Sequence, residues 1–398
     1  MAFNLSKERK SSFVLIKLFP IMLTVFISFI IIGGALPVLP LHIRNNLGFG
    51  TFIIGIIAGA QFAASLISRI WSGRFSDTYG TKPSVVFGLV LASIAGILYF
   101  LSIFTIDEKD CSIILLLIGR AILGAAESFI ITGSISWGLA LVDKKHAGKV
   151  IAWMGTAMFA AMAFSGPIGI FLFNLWGFKA IAFLTLLLPL AILIYLRAVP
   201  SILPKPQKDT ATFQSVIQFV WLPGLGAALA SIGYCTIISF SSLYYNTMHW
   251  QPVWLAFTTF GITLIITRMF LGHLPDQFRG AVIALIFVFV QALGLFVMWE
   301  AKNALTASVG AALAGLGYSL VYPGLGVEAM AKATSQNRGI AMGIYTAFLD
   351  VAMALGGPML GLIGGSFGVA HIFLISAFIV LSTSIVIVIL LKRSAVLI

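Results

Sequence analysis

Charge is what this chain has least of. Only 9% of its 398 residues are Asp, Glu, Lys or Arg, against 60% that are hydrophobic, and the mean hydropathy is +1.09. A soluble chain of this length needs far more charge to cover its surface, so a water-soluble enzyme or binding domain is excluded. Cysteine is almost absent: Cys111 is read in a loop and Cys235 inside an apolar run, so no disulfide framework is indicated. His-Glu-x-x-His, Gly-x-x-x-x-Gly-Lys-Ser/Thr and Cys-x-x-Cys are all missing. Gly317-Tyr318-Ser319-Leu320-Val321 lacks the second glycine of a nucleophile elbow, and the five histidines are scattered. These absences argue against a metal centre, a nucleotide-driven step and an intramembrane enzyme. No cofactor is expected, which leaves the proton gradient as the energy source.

What the chain has is long apolar runs, each of roughly 20 residues or more, the length that spans a bilayer core as helix. A β-barrel would instead alternate apolar and polar residues over about ten positions. The runs fall at about 14–41, 51–71, 84–105, 113–142, 150–175 and 178–198, then at 219–245, 252–272, 280–299, 304–327, 339–365 and 369–391. The first is too long for the apolar part of a signal peptide and reads as a span. The expected fold is an all-α membrane protein of 12 transmembrane helices, arranged as two pseudo-symmetric six-helix bundles. Its divisions are an N-terminal bundle over 1–198, a connector over 199–215 and a C-terminal bundle over 216–398.

The net charge of +12 is explained by topology. Nineteen of the 24 Lys and Arg residues fall on the side of the N-terminus. Arg44, Lys109, Lys179 and Lys302 fall on the other side, and Arg120 lies inside a span. The positive-inside rule then places both termini and the connector in the cytoplasm. Basic residues spread over many short loops are not a nucleic-acid footprint. The expected setting is a bacterial cytoplasmic (inner) membrane, with the chain a multi-pass monomer whose partners are the lipid bilayer, protons and a small-molecule substrate.

Two motifs occur twice. Arg69-x-x-x-Gly73-x-x-x-Asp77 returns as Arg268-x-x-x-Gly272-x-x-x-Asp276, 199 positions later, each copy between two apolar runs. The pair Gly166-Pro167 in span 5 returns as Gly357-Pro358 in span 11, 191 positions later. Repetition at about half the chain length marks two similar halves. Proline removes a backbone donor and bends a helix, while glycine allows close contact.

The charges within the spans are few, and each is a functional candidate because an ionisable group at membrane depth is costly. Arg120 and Glu127 share span 4, seven residues apart and so on one helix face. Asp350 lies near the middle of span 11. Burial and a nearby cation act on Glu127 in opposite senses, so its proton can be exchanged near physiological pH.

Two six-span halves, a cytoplasmic connector and the repeated loop motif resemble the major facilitator superfamily over essentially the whole chain. The family's loop signature, Gly-x-x-x-Asp-Arg-x-Gly-Arg-Arg/Lys, is matched at Gly73, Asp77, Gly80 and Lys82, with Thr78 and Thr81 where arginines are usual. The resemblance implies a gating role for Arg69, Gly73, Asp77, Arg268, Gly272 and Asp276, with Asp77 facing the start of span 11 and Asp276 the start of span 5. Arg120 and Gly124 match the family's span-4 motif, which implies proton coupling through Arg120, Glu127 and Asp350. Gly166-Pro167 partly matches the antiporter motif, with Met162 and Ile170 in place of two glycines. That match implies helix bends at Gly166, Pro167, Gly357 and Pro358, and export by antiport. Spans 1, 4, 7 and 10 line the family's cavity, which nominates Trp137, Tyr234, Tyr318 and Tyr322 as substrate contacts. Gln61 is a further polar candidate. The expected function is a secondary active transporter that exports a small organic molecule such as a drug, metabolite or siderophore in exchange for protons, by alternating access. The alternative is a proton-coupled importer of a sugar or organic acid.

Overall fold

The computed structural model describes residues 2–142, 147–201, 213–333 and 338–395. Among them there is no strand, and every long apolar run is a helix. The helices are α1 (Ala2–His42), α2 (Thr51–Tyr79), α3 (Thr81–Phe104), α4 (Lys109–Leu141), α5 (Ala147–Trp176), α6 (Phe178–Leu196) and α7 (Phe213–Thr247). They continue as α8 (Leu255–Leu271), α9 (Gly280–Trp299), α10 (Ala304–Met330), α11 (Arg338–Phe367) and α12 (Val369–Ala395). Eleven of these are long and apolar enough to cross a bilayer, and α8 is a shorter apolar helix. In hydrocarbon every backbone polar group must be paired within the chain, which is why such a sequence becomes helix throughout.

Two junctions repeat the two-fold pattern. Gly177 (φ +65°) separates α5 from α6, and Gly368 (φ +92°) separates α11 from α12. Left-handed backbone of this kind favours glycine. The two positions are 191 apart, the same offset as the Gly-Pro pairs.

One boundary differs from expectation in a telling way. The first copy of the Arg-x-x-x-Gly-x-x-x-Asp motif is helical throughout, because α2 runs on to Tyr79. The second copy is broken after Leu271 and resumes in a four-residue helix, Leu274–Gln277. Where the first copy has Ser76, the second has Pro275, which cannot continue a preceding helix but suits the first turn of a new one.

The chain divides into two compact units. One comprises Met1–Gly34, Ala64–Ser165 and Leu172–Pro206. The other comprises Ala35–Ala63, Gly166–Phe171 and Gln207–Ile398. Compactness thus cuts the chain differently from the sequence repeat, taking the end of α1, the start of α2 and part of α5 into the second unit. Most of the expected connector, 202–212, lies outside the described residues.

The first unit packs Leu18, Ile21 and Val25 of α1 against Val85 and Leu89 of α3, Ile130 and Trp137 of α4, and Met154 of α5. Side-chain hydroxyls link its helices, as where Ser84 donates to the Phe129 carbonyl at 3.2 Å. In the second unit, Gln291 of α9 donates to the Ala230 carbonyl of α7 at 2.8 Å. Ser319 of α10 donates to the Leu264 carbonyl of α8 at the same distance. Tyr244 and Tyr245, at the end of α7, are buried and donate to the carbonyls of Met298 and Ala304. They pin helices together rather than anchoring at an interface.

Candidate functional site

Three groups of candidate residues lie in the second unit, and the first is aromatic. Tyr318 and Tyr322 are four residues apart on α10, hence on one face. Tyr318 stacks on Tyr234 of α7, ring centroids 5.1 Å apart and planes within 10°. Its hydroxyl lies 3.1 Å from that of Ser231. Tyr322 follows at 6.2 Å from Tyr318, and Tyr345 of α11 at 5.0 Å from Tyr322. The Tyr345 hydroxyl donates to the Tyr322 carbonyl. Arg268, near the end of α8, interacts electrostatically with Tyr318, Tyr322 and Tyr234, and its guanidinium reaches the Ser319 carbonyl at 3.4 Å. Tyr318 and Tyr345 are buried, whereas Tyr234, Tyr322 and Arg268 are half-buried. Three of the nominated substrate contacts are therefore side by side. Sequence reasoning missed Tyr345, because span 11 was not among the cavity-lining spans, and assigned Arg268 to gating alone.

The second group is a close helix crossing. Thr51 at the start of α2 donates to the Gly361 carbonyl of α11 at 2.7 Å. A side chain at Gly55 would overlap the backbone of Gly357 and Pro358, and one at Gly59 would overlap Ala354. Gly55/Gly59 and Gly357/Gly361 are thus two Gly-x-x-x-Gly faces running antiparallel, the small-residue arrangement that lets membrane helices touch. The first Gly-Pro pair makes the corresponding crossing, since Gly166 of α5 lies against the Phe257 ring of α8. Pro167 and Pro358 are inside their helices, as expected. The α2 signal, Gly55-Ile56-Ile57-Ala58-Gly59, is plain in the sequence.

The third group is polar and continues the α2–α11 seam inward. Asp350 is 3% exposed and lies one helical turn from Ala354. Gln61 is 1% exposed and lies two residues beyond Gly59. In an antiparallel pair these positions fall at similar depth.

The first unit holds the other candidates. Arg120 is fully buried, and none of its three guanidinium nitrogens has a hydrogen-bond partner among the described residues. Its polar neighbour is the Tyr99 hydroxyl. Glu127, half-buried, stands about 10 Å further along the same helix at 1.5 Å per residue. Trp137 is fully buried in the unit's core among Leu18, Ile21, Val150 and Met154.

The gating motif is placed unevenly. Asp77 is exposed in the last turn of α2, and Arg69 is half-buried. A side chain at Gly73 would meet nothing within 4 Å among the described residues, so no close packing needs glycine there in this conformation. At Gly272 a side chain would meet the Arg268 carbonyl. The side chain of Asp276 lies outside the described residues. A neighbouring acid does face a helix start: Glu328 at the end of α10 accepts from the Ala281 backbone N–H of α9 at 3.0 Å, with the Arg279 guanidinium 3.9 Å away. This is the favourable placement of a carboxylate at a positive helix end. Lys82, on α3, donates to the Val199 carbonyl just past α6 at 2.6 Å.

A family model described as Major Facilitator Superfamily matches residues 21–333 and 255–397. An uncharacterized MFS-type transporter of Salmonella typhimurium is 36% identical over 378 residues, covering 95% of this chain and 97% of the relative. The uncharacterized MFS-type transporter YhhS of Escherichia coli K12 is 35% identical, covering 88% of this chain and 87% of its own length. Among solved structures, a D-xylose–proton symporter superposes with a TM-score of 0.75 at 14% identity, over 94% of this chain and 96% of that one.

Proposed function

This chain belongs to the major facilitator superfamily; it is a secondary transporter of small molecules, not an enzyme, and we propose that it expels a small organic molecule in exchange for protons. The observation that carries this reading is the position of Asp350. On α11 a buried carboxylate sits one turn from Ala354, which meets Gly59 of α2, and two turns from Gly357. A carboxylate at membrane depth is costly when charged, so taking up or losing a proton changes what surroundings it tolerates. Protonated, Asp350 allows the seam to close dry; ionised, it favours a wetter arrangement in which the seam opens. That links a proton to a helix crossing, as alternating access requires.

Taken with the charge bias of the loops, the Thr51–Gly361 end of the seam is the extracellular end, both termini are cytoplasmic, and the membrane is the bacterial inner membrane. The substrate rests on the wall of Tyr234, Tyr318 and Tyr322. Glu127 is a second candidate proton carrier, in the first unit on the same helix as Arg120, with no cofactor needed. Asp77 and the Arg279–Glu328 pair hold the cytoplasmic ends. The monomer is the transporting unit.

The test is transport measured across a range of pH in cells making wild-type protein, Glu127→Gln or Asp350→Asn. Loss of pH dependence in Asp350→Asn supports the seam as the coupling site. Unchanged pH dependence in both variants removes the proton from the mechanism.

A further inference from the structure

We propose that Ser231 sets the hydrogen-bond polarity of the tyrosine wall, so that Tyr318 serves only as an acceptor, and that the transported molecule therefore carries an O–H or N–H donor on a planar ring. The inference rests on the tyrosine wall being the substrate site, as read above, and names the chemistry that site selects.

A serine hydroxyl has one proton to give. Ser231 of α7 gives its proton to the Ala227 carbonyl one turn back, at 2.7 Å. The contact between the Ser231 and Tyr318 hydroxyls, at 3.1 Å, is then left with Tyr318 as its donor. Ser231 receives the tyrosine's proton and Ala227 receives the serine's. Both protons are spent on α7, and what the Tyr318 hydroxyl still has to offer is a lone pair. Tyr345 is committed in the same sense, since its hydroxyl donates to the Tyr322 carbonyl. The Tyr318 ring lies parallel to Tyr234 within 10°, and Tyr234 and Tyr322 are the half-buried members of the wall. A planar solute stacks on such a preset surface at little entropic cost.

Gln291 of α9 holds the hydroxyl pair in register. Its side chain donates to the carbonyl of Ala230, the residue before Ser231, at 2.8 Å. Its backbone lies where a side chain at Gly317, the residue before Tyr318, would overlap it. One residue thus fixes α7 and α10 together at the level of the pair. The other amide atom of Gln291, Oε1, is buried with no hydrogen-bond partner among the described residues, a further acceptor in want of a donor. Arg268 is engaged by partners of its own, the Ser319 carbonyl among them, so the polarity at Tyr318 is set by Ser231. Tyr318 is 4% exposed. A donor reaching its hydroxyl meets it largely out of water, where a hydrogen bond is electrostatically stronger. A ligand group with only lone pairs would face another lone pair there, and an unmatched buried acceptor is costly. The wall therefore ranks planar ligands by whether they bring a proton to share.

The experiment uses the full chain in lipid nanodiscs and two planar probes that differ in one donor: 4-hydroxyacetophenone and 4-methoxyacetophenone. Binding is read as a thermal shift titrated to millimolar concentration. The hydroxy probe should bind about threefold to tenfold more tightly than the methoxy probe, the range of a neutral hydrogen bond. Ser231→Ala leaves Tyr318 with a proton to donate, so the preference should vanish or turn toward the methoxy probe. Ser231→Thr keeps the hydroxyl and should keep the preference. Tyr318→Phe should remove the preference while both probes still bind, which separates lost recognition from lost folding. Tyr234→Ala should weaken binding of both. If the two probes bind the wild-type chain equally in a Tyr234-dependent way, the donor inference fails while the site stands. If binding is indifferent to Tyr234→Ala and Tyr322→Ala, the site reading itself fails. No shift with either probe, or an unchanged preference in Ser231→Ala, overturns the inference.

Discussion

Arg120 and Trp137 are the two largest side chains with no exposed surface, and they make opposite demands. The Arg120 guanidinium is costly to bury even beside the Tyr99 hydroxyl, and replacing buried ions by apolar groups of similar volume is often neutral or stabilising by about 1–4 kcal/mol. Arg120→Met should therefore raise the unfolding temperature while impairing transport; a lower unfolding temperature would mean that the charge is compensated after all. Trp137→Ala should cost about 3–5 kcal/mol as a core truncation. Its effect should appear as loss of folded protein in size-exclusion chromatography, with substrate preference unchanged in whatever folds. Both outcomes depend on which way a side chain points, and sequence pattern resolves that only in part. Tyr318 and Tyr322 were legible as a pair from their spacing of four. Trp137 lies on a span expected to line the cavity, yet its side chain packs against α1 and α5. Nothing in a uniformly apolar helix distinguishes the two faces.

At the scale of elements, the α2–α11 crossing and the two glycine junctions carry the structure's two-fold character. Gly55→Leu and Gly357→Leu should reduce transport severely while leaving the protein folded, because the added side chains meet opposing backbone. A Thr51→Cys reporter in those variants should react faster with a water-soluble maleimide than in the parent background; unchanged reactivity would mean that the seam does not govern access. Gly73→Ala is the contrasting case. With open space around it, the change should be neutral to slightly stabilising, within about 1 kcal/mol from helix propensity. Gly177→Ala and Gly368→Ala should each destabilise by about 1–2 kcal/mol through their left-handed backbone. Twelve helices were readable, eleven of them long and apolar enough to span, because length and hydropathy are properties of one segment. Which helix crosses which is a property of two. Gly55 and Gly59 reveal a contact face on α2, but nothing in that stretch names α11 as the partner.

For the whole molecule, the family and the transport class follow from features the sequence displays twice: six spans, a loop motif and a Gly-Pro pair. Direction, driving ion and substrate do not repeat and were not legible in that way. They rest on a handful of polar residues whose meaning comes from their neighbours, as Asp350 takes its significance from the helix crossing that begins one turn away at Ala354. The repeat is also imperfect in an informative sense. Pro275 in place of Ser76 breaks the second motif copy, and Glu328 caps α9. Glu328→Gln should therefore weaken the start of α9 by about 0.3–1 kcal/mol, the usual contribution of a carboxylate at a helix N-terminus, as seen by hydrogen exchange at Ala281.

The most direct measurement compares small molecules inside and outside bacterial cells making the wild-type chain, Asp350→Asn or no protein. Proton-driven export predicts at least one compound depleted outside and accumulated inside in both the Asp350→Asn cells and the cells without protein. A compound displaced in the opposite sense, or an Asp350→Asn strain indistinguishable from wild type, would contradict it.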